Sequence, residues 1–563
     1  MFLPTTQEEL KKLGWNQLDI ILVTGDAYID SPFMGIALIG RVLLDKGWKV
    51  GIIAQPEMTS DRDITRLGEP GLFWGVSGGA IDSMVANYTA LKKKRKKDDY
   101  TPGGINNKRP DRAVIAYTNL IKKYFKRTCP IVLGGIEASL RRISHYDFLS
   151  DKIRRSILFD AKADFLVFGM GEKTVVELAA ALKNDLDTEN IRGLGYISKQ
   201  GRNNYINLPS FEEVACNKYL FMESFNLFYK NNDPVTAKGL VQKHGNRYLV
   251  LNPAAKPLLT NELDKVYSLD FKRELHPFHK KQGDVKALLT IKFSITSHRG
   301  CYGQCNFCAI SVHEGTTVTW RSEKSIIEEA LTLSKLKDFK GIIHDVGGPT
   351  ANMYGFECRK KLKKGICQDR KCLFPTVCKS LNPDHSAQRR LLGKLLNLQK
   401  IKKIFISSGI RHDLIMDDEK HGRNYLEKVI TYHVSGQMKL APEHSSKKIL
   451  DLMGKPQIAS IVKFRKEFKK ITEKIKKNQF LTYYFIAAHP GCTVKDMNEL
   501  NHFIEKELKI NPRQVQIFTP TPSTYSTLMY YTCINPFSES KPLKLFVEKT
   551  HRGKELQKKT IVK

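Results

Sequence analysis

Three cysteines share one short segment, HRGCYGQCNFCAIS, as Cys301, Cys305 and Cys308 at C-x3-C-x2-C spacing. Three thiolates on one loop can hold three irons of a cubane cluster and leave the fourth iron without a protein ligand, which is what a substrate-binding cluster needs. Gly300 and Gly303 let the backbone turn tightly with its amides toward the sulfurs, and Tyr302 and Phe307 can shield the site. Zinc is the competing chemistry, with His298 or His313 as a fourth ligand, but structural zinc favours paired C-x2-C knuckles and here the spacing is unequal. A second group, Cys358, Cys367, Cys372 and Cys378, lies in FECRKKLKKGICQDRKCLFPTVCKS. Four thiolates can fully ligate zinc or a second iron–sulfur cluster, and the surrounding Lys and Arg would favour thiolates. Reduced thiols or a redox disulfide are the alternatives. Cys129, Cys216, Cys492 and Cys533 are isolated and are expected to be packing residues. Eleven cysteines, seven of them between Cys301 and Cys378, do not make a disulfide scaffold and point to a reducing, cytoplasmic setting.

These side chains need strands and helices to position them. Residues 18–24 (LDIILVT) carry a buried-strand pattern, 35–46 is apolar at helical spacing, and 48–54 returns to strand. Further strands are predicted at 72–77, 131–133 and 165–168, with helices at 113–126 and 173–183. This alternation predicts a doubly wound parallel α/β sheet over residues 1–205. Residues 206–286 are polar and proline-interrupted and are expected to be an irregular connection. A second β/α series starts at 287–296 and continues at 341–346, 403–408, 435–440, 481–488 and 514–519. Helical patterns at 322–337, 386–400 and 495–509 separate several of its strands. Six strands in sequential β/α order predict a partial TIM-like (β/α)6 barrel over 287–540, with the Cys-rich insertion at 355–380. A basic C-terminal tail, 541–563, is expected to fray.

Composition bounds the rest. The chain has 563 residues, and at about 150 residues per domain that suggests three to four units. Hydrophobic residues at 41% exclude global disorder. No stretch approaches the roughly 18 apolar residues of a membrane span, and the N-terminus lacks a basic segment followed by an apolar one, so a soluble, unexported protein is expected. The net charge is +34, much of it Lys on helix faces such as KFRKEFKKITEKIKK at 463–477. A solvated face explains such lysines better than a nucleic-acid surface.

The cysteine loop, with an aromatic before its last Cys and a strand before it, resembles the radical S-adenosylmethionine (SAM) superfamily. That resemblance implies a [4Fe-4S] cluster on Cys301, Cys305 and Cys308 whose open iron chelates SAM. It also implies a one-electron donor such as a flavodoxin or ferredoxin. Gly347, Gly348 and Pro349 after the second barrel strand resemble the glycine-rich stretch that meets the SAM amino group. Ser407, Ser408 and Arg411 after strand three, and Gln437, Lys439, Glu443 and His444 at strand four, are the polar groups expected at the strand ends. His489 follows strand five. The match extends to TGDAYIDSPFMGIALIGRVL, NNKRPDRA, GGIEASLRRISHYD, RRSILFDAKAD, GMGE, DVGGPTANMYG, LAPEHSS, HPGCT and QIFTPTPST. Together these resemble the YgiQ-type family of radical SAM proteins over about residues 15–535.

The N-terminal sheet is also similar to the cobalamin-binding domain that precedes many radical SAM barrels, whose frame is D-x-H-x-x-G. Here that frame reads Asp30-Ser31-Pro32-Phe33-Met34-Gly35, and Pro32 cannot ligate cobalt, which argues against cobalamin. GGIEASLRR, with Arg141 and Arg142, offers a phosphate site or a contact surface between domains. The resulting expectation is a radical SAM enzyme acting on an unassigned small molecule or RNA. RNA methylthiolation would need three more cluster cysteines in the N-terminal half, which has only Cys129 and Cys216. The alternative from another class is a non-catalytic, zinc-stabilised nucleic-acid-binding protein using both cysteine groups structurally.

Overall fold

Nine strands of the N-terminal half form one sheet in the computed structural model, which describes residues 1–538 and 542–562. They are β1 (Ile20–Thr24), β2 (Val50–Ala54), β3 (Phe73–Ser77), β4 (Ile131–Gly134), β5 (Phe165–Val167), β6 (Leu194–Ser198), β7 (Ile206–Leu208), β8 (Leu240–His244) and β9 (Arg247–Leu251). Their spatial order is β7-β8-β9-β6-β5-β4-β3-β1-β2. From β2 to β5 all pairs are parallel, with Ile20 of β1 opposite both Val50 and Phe73. Every residue of β1 and β2 is buried, as a parallel sheet covered on both faces requires. Ala37 and Leu43 of the helix Gly35–Asp45 share a core with Val175 and Leu178 of the helix Glu172–Lys183. This first compact unit comprises Met1–Pro257, Lys265–Lys292 and Thr521–Ser523.

Residues 206–286, expected to be irregular, are instead largely folded. β7, β8 and β9 extend the sheet through antiparallel β9–β6 and β8–β9 pairs, and the helices Phe211–Cys216 and Lys218–Lys230 lie between β7 and β8. A Ser210/Glu213 capping box and the Asn217 side chain start these two helices. The prolines fall between elements or at a helix start: Pro209 precedes the Ser210 cap, Pro253 follows β9 and Pro277 opens the helix Pro277–Lys280. They punctuate regular structure here and do not prevent it.

The second unit comprises Leu258–Asp264, Phe293–Pro520 and Thr524–Lys563. Its parallel strands are β10 (Ser294–Thr296), β11 (Ile342–Ile343), β12 (Asp345–Gly347), β13 (Lys403–Ile404), β14 (Gln437–Glu443), β15 (Phe480–Ala487) and β16 (Gln514–Ile517). β10 pairs with β12, β11 with β13, β14 with β15 and β15 with β16, and a parallel bridge joins Ile410 to Leu440. β11 and β12 are one strand interrupted at His344, so six parallel strands follow one another in chain order. The helices Glu323–Leu333, Ser386–Leu396, Gly422–Tyr432, Ala459–Lys474 and Val494–Phe503 pack their apolar faces on this array. This is the partial (β/α)6 barrel that the sequence predicts.

Two boundaries differ from expectation. The first barrel strand begins at Ser294, because Lys286–Ile291 is a helix; a short apolar run does not reveal its period. Nor does the basic tail fray. The helix His551–Lys559 buries Lys554 and Gln557, and Gln557 accepts a hydrogen bond from Ala488 N and donates one to Cys492 O, each 2.9 Å. The expected 540/541 boundary lies outside the described residues.

Candidate functional site

The cysteine loop follows β10 and is shaped by close backbone approach. Gly300 has φ +83°, and a Cβ there would lie 2.2 Å from Thr317 O, so only glycine fits. Gly303 N donates to Cys301 Sγ at 3.4 Å. A Cβ on Gly303 would sit 3.2 Å from Cys301 Sγ and 3.5 Å from both Cys305 Sγ and Arg411 Nη1, so two thiols and a guanidinium surround one small space. Arg411 Nη1 also donates to Cys305 Sγ at 3.7 Å, and Thr350 Oγ1 lies 3.6 Å from Cys301 Sγ. Asn306 pins the loop: its amide and side chain donate to Met453 O and Leu452 O, and its carbonyl accepts from Ser526 N, all at 2.8 Å. Burial pushes the Cys301 and Cys308 thiols up, so a bound metal must displace their protons.

Among the described residues no three His, Cys, Asp or Glu side chains are grouped to hold one metal ion. A zinc site needs its ligands gathered around a single point, whereas each thiolate of a cubane binds a different iron. His298, the alternative zinc ligand, has both ring nitrogens engaged: Nε2 lies 2.8 Å from the Thr350 carbonyl and Nδ1 2.8 Å from Ser297 Oγ. Burial pulls its imidazole down to about 4. Two of the thiols and Arg411 meet around Gly303, and with His298 committed elsewhere the loop suits a cluster better than a zinc ion.

The other predicted residues divide by which end of their strand they occupy. Gly347, Gly348 and Pro349 end β12 beside the loop. Gly347 O accepts from Ser297 N at 2.7 Å, and a Cβ on Gly348 would lie 2.6 Å from His298 O. Ser407 and Ser408 bind Asp345: Ser407 N donates to Oδ1 at 2.8 Å and the Ser408 hydroxyl to Oδ2. Arg411 is oriented by Asp413, whose Oδ1 accepts from Nε at 2.8 Å. Burial alone would raise the Asp413 carboxyl, but Arg411 holds it well below the usual range.

Glu443 ends β14 with φ +68°, an unusual conformation for a non-glycine residue, and its buried carboxyl is pushed up against the opposing pull of Lys455 and Arg411. Gln437 and Lys439 are not brought to this end. Gln437 opens β14, about 20 Å from Glu443 at ~3.3 Å per residue, and accepts from Thr482 Oγ1 at 3.2 Å. Lys439 is exposed on the face opposite buried Met438 and Leu440. His444 and His489 are held internally, by Ser446 N (3.0 Å) and Ser526 Oγ (2.7 Å).

The Cys-rich insertion clamps the cysteine loop. The Tyr302 hydroxyl donates to Phe356 O, Val318 N donates to Glu357 Oε2 at 2.7 Å, and Lys361 Nζ donates to Thr316 O at 2.7 Å while pairing with Glu357 at 2.9 Å. Lys371, which the sequence reading missed, reaches Gln304 O at 2.9 Å and Asn306 Oδ1. Burial pulls its ammonium down to about 8. Cys358, Cys372 and Cys378 pack with Tyr302 and Cys301 in one apolar cluster to which Cys367 does not belong. All eleven thiols are free, burial pushes Cys372 up to about 11, and the four insertion cysteines do not converge on a point. Of the four isolated cysteines, Cys492 is buried as expected, but Cys216 is exposed.

A family model described as Radical SAM N-terminal matches residues 2–294. The chain is 56% identical over 558 residues to a UPF0313 protein of Fusobacterium nucleatum, covering 99% of this chain and 98% of that one. It is 51% identical over 544 residues to a UPF0313 protein of Thermotoga petrophila, covering 96% and 95%. The chain belongs to this YgiQ-type UPF0313 family of radical SAM proteins. Among solved structures it resembles OxsB, a cobalamin-dependent SAM radical enzyme with aqua-cobalamin bound, at a TM-score of 0.51 and 12% identity, covering 93% of this chain and 56% of that one. It also resembles the radical SAM methyltransferase TsrM from Kitasatospora setae with cobalamin and a [4Fe-4S] cluster bound, at 0.50 and 13%, covering 91% and 75%. At these identities the likeness is one of fold.

In this UPF0313 chain the N-terminal sheet has the parallel order β2-β1-β3-β4-β5, whose ligand crevice would open at the carboxyl ends of β1 and β3, where the order reverses. That place is filled. Arg109 sits there with Nη1 2.7 Å from Asp26 Oδ1 and Nη2 3.1 Å from Asp98 Oδ2, and it donates to Gly78 O at 2.8 Å. Ala80 N donates to Asp26 Oδ2 at 2.6 Å, and a Cβ on Gly25 would meet Gly78 O at 2.3 Å. Asp30 of the cobalamin-like frame binds Arg41 Nε at 3.0 Å. Arg141 pairs with buried Asp82, and Arg142 is buried between the Phe168 and Phe228 rings at 4.9 and 4.5 Å. Neither arginine of GGIEASLRR is therefore presented to a phosphate.

Proposed function

We propose that this UPF0313 protein is a radical SAM enzyme whose Cys301, Cys305 and Cys308 hold a [4Fe-4S] cluster. The observation that carries this reading is three thiols on one glycine-shaped loop at the carboxyl end of the first barrel strand, with His298, one of the two imidazoles weighed as a zinc ligand, already committed to Ser297 and Thr350. When bound, the cluster supplies one electron to cleave SAM into methionine and a 5′-deoxyadenosyl radical. The protein's own residues position the reactants. The Gly347-Gly348-Pro349 turn, locked to His298, brings backbone close to the loop for the SAM amino group. Arg411, oriented by Asp413, and Glu443 supply opposite charges at the same strand ends for the amino-acid part of SAM. Ser407, exposed after β13 with its hydroxyl donating to His344 O at 2.7 Å, can still accept a hydrogen bond from the ribose. Gln437 and Lys439, placed toward the other end of β14, are not part of this set. A flavodoxin or ferredoxin is the class of donor that fits a one-electron requirement.

Cobalamin does not belong to this reading. Pro32 stands where the frame has its cobalt ligand, and Arg109 fills the strand-end crevice, so no step is assigned to it. Among the described residues no helix is long and apolar enough to cross a membrane.

The test is anaerobic reconstitution with iron and sulfide followed by dithionite and SAM. The expected result is charge-transfer absorbance and the EPR signal of a reduced cluster, with dithionite-dependent release of 5′-deoxyadenosine. Protein that takes up zinc in place of iron, or that binds a cluster without cleaving SAM, would overturn the proposal.

A further inference from the structure

Four buried cations in the barrel unit are matched by carboxylates: Arg411 has Asp413, Arg321 has Glu329, Lys361 has Glu357 at 2.9 Å, and Lys455 has Glu443 at 4.0 Å. Lys371, beside the cluster loop, is partly buried and pairs with no carboxylate among the described residues. Its ammonium donates to Gln304 O and Asn306 Oδ1 and lies 5.7 and 6.0 Å from the Tyr525 and Phe537 rings. An ammonium held partly out of water without a counter-charge carries a cost that an anion bound beside it would offset. Both acceptors of Lys371 flank Cys305, so the ammonium sits against the chain on either side of that thiol.

We propose that Lys371 is a positioning residue whose counter-charge is the iron–sulfur cluster, and that its fixed positive charge beside Cys305 raises the cluster's reduction potential. The inference rests on the cluster assignment made above. Reduction adds one negative charge to the cluster, and a cation fixed nearby in a low-dielectric pocket favours the reduced form. Arg411 also touches Cys305, but Asp413 cancels most of its field. Lys371 acts with its whole charge. Its place is set by the insertion: Lys371 forms a backbone bridge with Phe374, and Leu373 between them is fully buried in the cluster that includes Tyr302. The insertion thereby delivers a charge as well as a clamp.

The test uses the full-length reconstituted protein and its K371M and K371R variants, with iron per chain and an EPR-monitored redox titration run without SAM. In K371M the ratio of reduced to oxidised cluster at the parental midpoint should fall about tenfold, which is 59 mV for a one-electron couple. K371R should stay at the parental midpoint. An unshifted K371M carrying full iron, or a K371R shifted as far as K371M, overturns the proposal. Should K371M hold no iron, K371R decides. Iron retained at the parental potential upholds the charge, and iron lost from both variants reduces Lys371 to loop packing and overturns it. A parental protein without any cluster signal would instead sink the underlying assignment.

Discussion

The carboxyl ends of the two parallel sheets carry the same kinds of residue and treat them in opposite ways. In the N-terminal sheet, Arg109 is shared between Asp26 and Asp98, and Arg141 lies against Asp82 with Glu137 accepting from Ser83 N and Val114 N. Each of these arginines is met by carboxylates within the protein, while Arg142, buried with no carboxylate partner among the described residues, is held by Ser139 O, Asn232 Oδ1 and two Phe rings. In the barrel, Lys371 lacks a carboxylate, Glu443 has Lys455 only at 4.0 Å, and the three thiols of the loop remain partly exposed. The Arg109 end is closed by its own side chains and backbone, whereas the thiol loop keeps its sulfurs partly exposed. Both ends belong to folds whose crevices commonly bind ligands, so it is the residues at each end, and not the fold, that separate them.

A pair of substitutions gives the largest effect and the sharpest separation. Cys305→Ala should abolish iron binding and SAM cleavage while changing stability by less than about 1 kcal/mol, since it removes one partly exposed thiol. Arg109→Met should do the reverse. It strands Asp26 and Asp98 in the interior at a cost of about 3–5 kcal/mol, visible as a large fall in Tm, while cluster content per folded chain is unchanged. Iron analysis and thermal melts on both variants check this. An Arg109→Met protein as stable as its parent would break the contrast.

The next effect is a matter of pH and concerns the side of the N-terminal sheet that the sequence did not reveal. His244 ends β8 stacked on Phe159 and Phe211, with ring centroids 4.3 and 5.7 Å away, and neither ring nitrogen has a polar partner. Burial pulls its imidazole down to about 3, against about 6.5 in the unfolded chain. Because the folded value is the lower one, the unfolded chain takes up the proton first. The contribution is complete above pH ~6.5 and is lost as pH falls from there toward 3, at up to about 1.4 kcal/mol per pH unit. His244→Phe keeps the stack and should flatten that part of the stability profile. Denaturant melts between pH 6.5 and 4 measure the slope, and an identical slope in the variant would show that His244 is not the titrating group.

What the sequence disclosed and what it hid follow one physical line. The cysteine loop and the six barrel strands were legible because glycine placement, thiol spacing and apolar runs are local. The β7–β9 extension was hidden because prolines at element ends look the same as prolines in irregular chain. Gln437 and Lys439 were assigned to the site because alternation marks a strand's faces and not where it stops; β14 continues through Pro442 to Glu443. The tail helix was hidden because its anchoring depends on Gln557 meeting Ala488 and Cys492, contacts distant in sequence. Lys371 was one lysine in a segment crowded with them, and only tertiary structure shows that it is held against the cysteine loop without a carboxylate. The closed network around Arg109 was equally invisible, since none of Asp26, Asp98 and Arg109 neighbours another in sequence.

The smallest expected effect bears most directly on the contrast, because it is a null result for a ligand that the structural neighbours bind. OxsB and TsrM carry cobalamin, and a ligand that binds only the folded state raises stability by RT ln(1 + [L]/Kd). If Arg109 closes the strand-end crevice as the structure has it, aqua-cobalamin added at many times a typical ligand concentration should leave Tm and the cobalamin spectrum unchanged. Arg109→Met alone should not rescue binding, because Gly25 still approaches Gly78 O and Pro32 offers no cobalt ligand. A rise in Tm in the parent protein would mean that the Arg109 network swings aside. The Arg109 end would then be a latch over a second cofactor, and the contrast between the two strand ends would fail.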